Sequence, residues 1–117
     1  MPFKFETLRV WQLAFDLADE IHCTVQGFPK AEMFSLSHQI KRAADSVVLN
    51  IAEGSTGSTN PETKRFLNIA LKSAIETVAC LMMAKRRTYI ADTPYQQLYT
   101  RYEQLCKMIT AYRNSLP

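Results

Sequence analysis

Apolar residues recur along most of the chain at steps of three and four, the spacing of helices that bury one face. From about Glu6 to Gln26 two such stripes run side by side, Leu8, Trp11, Phe15, Ala18 and Val25 in one and Val10, Ala14, Leu17, Ile21 and Thr24 in the other. Together they exceed the usual apolar face of ~100°. This helix must therefore cover two sides, one inside its own bundle and one against a further partner, so Leu8, Trp11 and Phe15 are the expected contact between copies. Arg9, Gln12, Asp16, Asp19 and Glu20 keep the remaining arc wet. Gly27-Phe28-Pro29 breaks the pattern, with Gly27 expected as a left-handed stop.

A second helix is predicted over Ala31 to Glu53, with Leu36, Ile40, Ala43, Ala44, Val47 and Ile51 inward. Ser35 or Ser37 would cap a shorter version, and Gly54 ends it ahead of the loop Ser55–Asn60. A third helix is predicted to begin with Asn60 as N-cap and Pro61 in the first position, or with Thr59 and Glu62 as a capping box. Its apolar pattern runs through Phe66, Leu67, Ile69, Ala70, Ala74, Val78, Leu81 and Met82 to about Arg87. The fourth is expected to start from Thr93 as N-cap with Pro94 next, and its seam of Tyr95, Leu98, Tyr102, Leu105, Ile109, Tyr112 and Leu116 alternates steps of three and four. Four helices of similar length joined by short loops must run up and down against one another. The fold class is therefore all-α, an antiparallel up-and-down four-helix bundle forming a single domain over residues 1–117.

Composition agrees: three glycines and five prolines in 117 residues give too few turns for a β-sandwich, and a hydrophobic content of 47% fills one core. The opening MPFKFETLRVW lacks the apolar segment and small-residue cleavage site of a signal peptide. The longest clean apolar run, residues 77–84, falls far short of the ~20 needed to cross a bilayer, so a soluble cytoplasmic protein with no membrane contact is expected. Cys23, Cys80 and Cys106 are too widely spaced for a zinc or redox motif and read as buried free thiols of a reducing compartment.

Charge is unevenly shared. Residues 1–58 carry five basic and seven acidic side chains, a net of −2, and residues 59–117 carry nine basic and four acidic, a net of +5. The basic half suits a polyanion, or simply a solvated surface. Lys64, Arg65, Lys72, Lys85, Arg86 and Arg87 on the third helix are the candidate phosphate contacts, joined by Arg101, Lys107 and Arg113 from the fourth. No recognition helix or RNA-recognition signature accompanies them, so contacts would go to backbone and shape rather than to base edges.

No motif demands an enzyme. Asp19 and His22 are half of a di-iron pair whose other half is missing, since Ser35 stands three residues before His38. Glu76 falls within the third helix's apolar run as a partly buried carboxylate with no partner base. Ser55, Ser58 and the cysteines lack an acid–base partner, and AEGSTGST lacks the lysine and preceding strand of a phosphate loop. No catalytic residue, metal or cofactor is expected.

The segments LRVWQLAFDLADEIHCTVQGFP, EMFSLSHQIKRAADSVVLNIAEG and ETKRFLNIALKSAIETVACLMMA, followed by YI, resemble in order and spacing the four-helix-bundle proteins encoded in intervening sequences of bacterial 23S ribosomal RNA genes. QIKRAADSVVLNIAEG is the most specific part. The family is similar to, and on this reading includes, the accessory variability protein of diversity-generating retroelements, a barrel-shaped homopentamer that binds nucleic acid and its reverse transcriptase. The resemblance implies a closed bundle, homopentamers and association with nucleic acid, RNA foremost. It also implies an alternative role as a protein–protein adaptor docking a reverse transcriptase. In a ring of five the +3 of one chain would become +15. Asn50, Glu53 and Gly54 match the family's motif and read as structural, two polar groups fixing a loop or interface and a helix stop. Relatives place a basic residue in the loop after NIAEG, where this chain has the neutral STGSTN, and a small Gly-Ser pair where it has Lys72-Ser73, which implies weaker nucleic-acid contact at that loop.

Overall fold

A computed structural model describes residues 3–56 and 59–117. They form α1 (Arg9–Val25), α2 (Leu36–Gly54), α3 (Asn60–Arg86) and α4 (Asp92–Ser115), with short 3-10 turns at Lys4–Thr7 and Lys30–Glu32 and no strand among the described residues. Neighbours pack in the order α1–α2–α3–α4–α1, which closes an antiparallel up-and-down bundle. Its extents of 43 × 23 × 22 Å are set by the length of α3. The core is the set of inward stripes: Ala14, Leu17 and Ile21 from α1, Ile40, Val47 and Ile51 from α2, Leu67, Ala74 and Leu81 from α3, and Leu98, Tyr102, Leu105 and Ile109 from α4, all buried. The α3 sequence has the length and mean hydropathy, 1.5 over its best window, of a membrane span. A third of that window is buried, in the face packed on α2 and α4, and Ile75 and Met82 of the same helix are exposed.

The helix ends differ from expectation for local reasons. α1 starts at Arg9 rather than Glu6, because the Glu6 carboxylate accepts the Phe3 N–H at 2.6 Å and the Glu6 carbonyl accepts from Gln12 Nε2 at 2.8 Å. These bonds fold the segment back and leave Leu8 extended. Gly27 is not left-handed: Gln26 at the C-cap keeps helical angles, and the Gly27 N–H closes a tighter turn on the Thr24 carbonyl at 3.1 Å. α2 takes its shorter form, with Ser35 at the N-cap. Its hydroxyl bonds the Glu32 carboxylate at 2.6 Å instead of a helix N–H, so the cap is supplied from the preceding turn.

At α3 half of the expected capping box forms, since the Glu62 carboxylate pairs with Arg65 rather than with the Thr59 N–H. Thr59 is the N-cap, its hydroxyl accepting the Glu62 N–H at 3.3 Å, and Asn60 is already helical. Most of the preceding loop is described, but Gly57 and Ser58 lie outside the described residues. α4 begins at Asp92 after an Ala91 cap, which puts Thr93 and Pro94 inside the first turn. A proline is tolerated there because the first N–H groups of a helix have no intrahelical acceptor. Between α3 and α4, Thr88 is left-handed at φ 61, an uncommon state for a β-branched residue. It is held by bonds from Tyr89 N–H to the Ala84 carbonyl at 2.9 Å and from Thr88 N–H to the Lys85 carbonyl at 3.1 Å, the paired bonds of a Schellman stop.

Gly54 ends α2, but its reason for being glycine is packing. A Cβ there would lie 3.1 Å from Phe66 Cβ on α3. The bare backbone lets α2 and α3 approach, and the Thr63 hydroxyl donates to the Gly54 carbonyl at 2.9 Å. Along the same seam the Ser46 and Ser73 hydroxyls bond at 2.8 Å, and Asn50 Nδ2 donates to the Ser46 carbonyl at 2.8 Å.

Candidate nucleic-acid interface

The six candidate cations of α3 divide into tied and free. Arg65 is tied, its Nη2 2.6 Å from Glu62 Oε1 and its guanidinium over the Phe66 ring at 4.5 Å. The hydrogen bond and the opposite charge hold the Glu62 carboxyl below and the Arg65 guanidinium above their ordinary pKa values. Lys85 meets Asp92 at 2.6 Å and Arg87 meets Glu32 at 3.3 Å. Lys64, Lys72 and Arg86 have no ion-pair partner among the described residues. At 3.6 residues per turn these three fall within an arc of roughly 80° on the outer side of α3, spread over roughly 33 Å of helix. They form a stripe rather than a cluster. From α4, Arg101 pairs with Glu20 of α1, and Arg113 Nη1 donates to Asn68 Oδ1 at 2.8 Å, so both spend charge or donors within the chain, at its surface.

Two apolar grooves flank the bundle on opposite sides. One lies between α1 and α2 and is lined by Phe15, Ala18, Val48 and Leu49, with Asp19 and Asp45 at its edge. Phe15 and Leu49 are 46% and 59% exposed. Phe15 continues a stack through Trp11, at 4.6 Å between ring centroids, to Phe5 at 4.7 Å from Trp11. The Trp11 indole N–H is buried with no acceptor. Leu8 and Trp11 are half-buried, so of the expected contact residues Phe15 is the most open. The other groove lies between α3 and α4, where Ile75, Val78, Ala79 and Met82 face Tyr99, Glu103 and Cys106. Leu49, Ile75 and Met82 had not been expected on the outside. For Leu49 the signal was its absence from the inward stripe of its own helix, which begins Leu36, Ile40, Ala43 and passes it by.

The family-motif residues separate. Asn50 is half-buried and braces Ser46, Gly54 serves close packing, and Glu53 is exposed with no side-chain hydrogen bond among the described residues. Asn50 and Gly54 therefore act inside the bundle and Glu53 does not. Glu76, expected to be partly buried, is exposed, with Gln39 Nε2 at 3.5 Å as its contact. One step around α3 from the inward stripe is enough to bring it into water. Cys23 is exposed rather than buried, because it sits on the wet arc of α1 beside His22. Burial pushes the Cys80 and Cys106 thiols up, helped by Glu76 and Glu103 respectively, which keeps both unreactive.

Asp19 does not act with His22. The His22 Nε2 instead meets Asp45 Oδ1 of α2 at 2.9 Å, and no group of three metal-ligating side chains occurs among the described residues. The sequence reading also missed Glu32. Its carboxylate ties the Lys30–Glu32 turn to the α3–α4 corner through Tyr89 at 2.8 Å and Arg87. The hydrogen bond from Ser35, then that from Tyr89, hold its pKa below the ordinary carboxylate value.

Comparisons with known proteins give this bundle relatives. A solved structure of a Bacteroides thetaiotaomicron protein of unknown function from the S23 ribosomal protein family superposes with a TM-score of 0.83 at 26% identity, over 89% of this chain and 97% of that one. No curated protein matches. The model of the 23S rRNA-intervening sequence protein family matches residues 6–111, nearly the whole bundle, and the chain belongs to that family.

Proposed function

We propose that this protein is a non-catalytic homo-oligomer, a pentamer on the family resemblance, that binds nucleic acid, RNA foremost, through backbone phosphates. The observation that carries the reading is the segregation of charge and apolar surface around the bundle. α1 has one basic and three acidic side chains, whereas α3 has five basic and two acidic. The α1–α2 groove is edged by Asp19 and Asp45, and the α3–α4 groove, although on the half of the chain with the basic excess, has Glu103 as the charged residue in its lining. Two unlike apolar grooves on opposite sides suit head-to-tail contacts, which close into rings when the rotation allows. Such a ring leaves the α2–α3 face uncovered, and we place it on the outside.

On that face Lys72 is free and Arg65 is loosely held by an exposed pair, which a phosphate can displace because surface ion pairs contribute little. Lys64 and Arg86 extend the stripe, and Lys85 and Arg87 would join by exchanging Asp92 and Glu32 for phosphate. The accessory role beside a reverse transcriptase uses the same face and is distinguished by RNA-independent binding of the polymerase.

The test is fluorescence anisotropy of a labelled RNA across a salt series, alongside solution mass by light scattering. Neutralising three phosphates gives a log–log slope of about −2 on single strands. A slope near zero removes the phosphate reading, and a monomer at all concentrations removes the ring. The variant K72E with R65E should weaken RNA binding while leaving the mass unchanged.

A further inference from the structure

On the same outward face, α2 and α3 part above the Ser46–Ser73 bond to leave a cleft of about 470 Å³. Phe34 stands at its rim, 90% exposed, the most open large apolar side chain among the described residues. His38, Gln39 and Arg42 of α2 form one wall and Ser73 and Glu76 of α3 the other. No ion pair among the described residues involves His38, Arg42 or Glu76. The Glu76 carboxylate accepts only the long 3.5 Å contact from Gln39 Nε2, so most of its acceptor positions are open.

We propose that this cleft takes one unstacked nucleobase of a single strand, with guanine preferred; the inference rests on the nucleic-acid reading above and names where sequence is read. A bare aromatic ring beside a basic helix face is a stacking platform of the kind that holds splayed bases. The cleft exceeds the ~300 Å³ lower bound of ordinary ligand sites, enough for a base and its sugar. Glu76 fixes the orientation: a carboxylate repels phosphate and accepts N–H donors. Guanine offers two adjacent donors, N1–H and the N2 amino group, on the edge that would enter. Uracil offers one ring N–H, and adenine and cytosine offer an amino group beside an acceptor. The flanking phosphate then falls toward Arg42 at the rim, with Lys72, one helical turn before Glu76, on the neighbouring stretch of α3. A base paired in a duplex cannot reach the cleft without leaving its stack.

The experiment compares short single-stranded RNAs that differ at one position, carrying G, A, C, U or an abasic site, against the whole protein at fixed salt. The parent should bind the G strand tightest and the abasic strand weakest. F34A should lose about tenfold on the G strand, the typical value of one base–aromatic stack, and F34W should restore it. E76Q should abolish the preference for G while keeping the gain over the abasic strand. Equal binding of the G and abasic strands by a protein that does bind RNA overturns this inference and spares the phosphate reading; no RNA binding at all overturns both. A fall in solution mass on F34A, with unchanged helicity, would make Phe34 a contact between copies and overturn the inference as well.

Discussion

The α2–α3 seam and the outer flank of α1 are built from opposite materials. The seam uses small residues, Gly54, Ser46, Ser73 and Ala70, and its polar groups are answered within the chain: Ser46 by Ser73, Asn50 by Ser46, Thr63 by Gly54 and Thr77 by the Ser73 carbonyl. The flank uses large aromatic side chains, Trp11 stacked on Phe15 and meeting Phe5 edge-on, yet partly in water, with the Trp11 N–H left without an acceptor. An unanswered buried donor costs about 1–3 kcal/mol, and an aromatic left half wet forgoes part of its burial energy. The seam is finished by one chain; the flank leaves aromatic surface and an indole N–H unanswered within it. That difference explains how one small bundle combines a rigid core with surface suited to assembly.

The largest expected effect strikes the seam. G54V places branched carbons where a single Cβ already meets Phe66 Cβ at 3.1 Å, and both atoms are fixed to helix backbone. Overpacking of this kind costs about 1–3 kcal/mol, read as a lower urea midpoint. A midpoint equal to the parent would show that the helices separate freely there and that the seam is not tight. The same substitution should leave the subunit count alone, because the flank is untouched.

A smaller effect sharpens the point about answered polar groups. S46A removes one member of the 2.8 Å hydroxyl pair and strands Ser73 and part of Asn50, at about 1 kcal/mol. The double variant S46A/S73A removes both members of that pair and should recover part of the loss, since replacing both partners with apolar groups is nearly neutral. Additive losses in the double-mutant cycle would mean that the two hydroxyls do not depend on each other.

These contrasts also show what could be read from the sequence. The helices and their inward stripes follow from periodicity alone, because burial leaves a repeating mark on every turn, and Leu17, Ile40, Leu67 and Leu105 all lie where it puts them. Gly54 was placed as a helix stop for lack of any sign that Phe66, twelve residues on, would press against it. Arg87 and Lys85 counted as free cations because the acids that hold them, Glu32 and Asp92, come from other elements, one of them 55 residues away. Lys64 and Lys72 have no ion-pair partner among the described residues, as a charge count would suggest. Phe34 left a faint trace, an aromatic off the inward stripe. Its exposure depends on Ser35 capping α2 one residue later, and that cap is set by Glu32 rather than by helix propensity.

The smallest effect on the chain itself is the sharpest test of the flank. Leu49 is exposed on α2 between Asp45 and Glu53, each four residues away on the same face. L49K therefore keeps good helix propensity and gains neighbours of opposite charge, worth about 0.2–0.5 kcal/mol each on a helix surface. Thermal unfolding of the single chain should move by no more than a degree or two. In the groove with Phe15, however, the new ammonium would have to leave water and enter the apolar contact with the next copy. The variant should run as a smaller species by light scattering, because burying an ammonium in an apolar contact is costly. An unchanged mass in L49K, from a parent that does assemble, would mean that the copies meet elsewhere, and the aromatic stack on α1 would then need another partner to cover it.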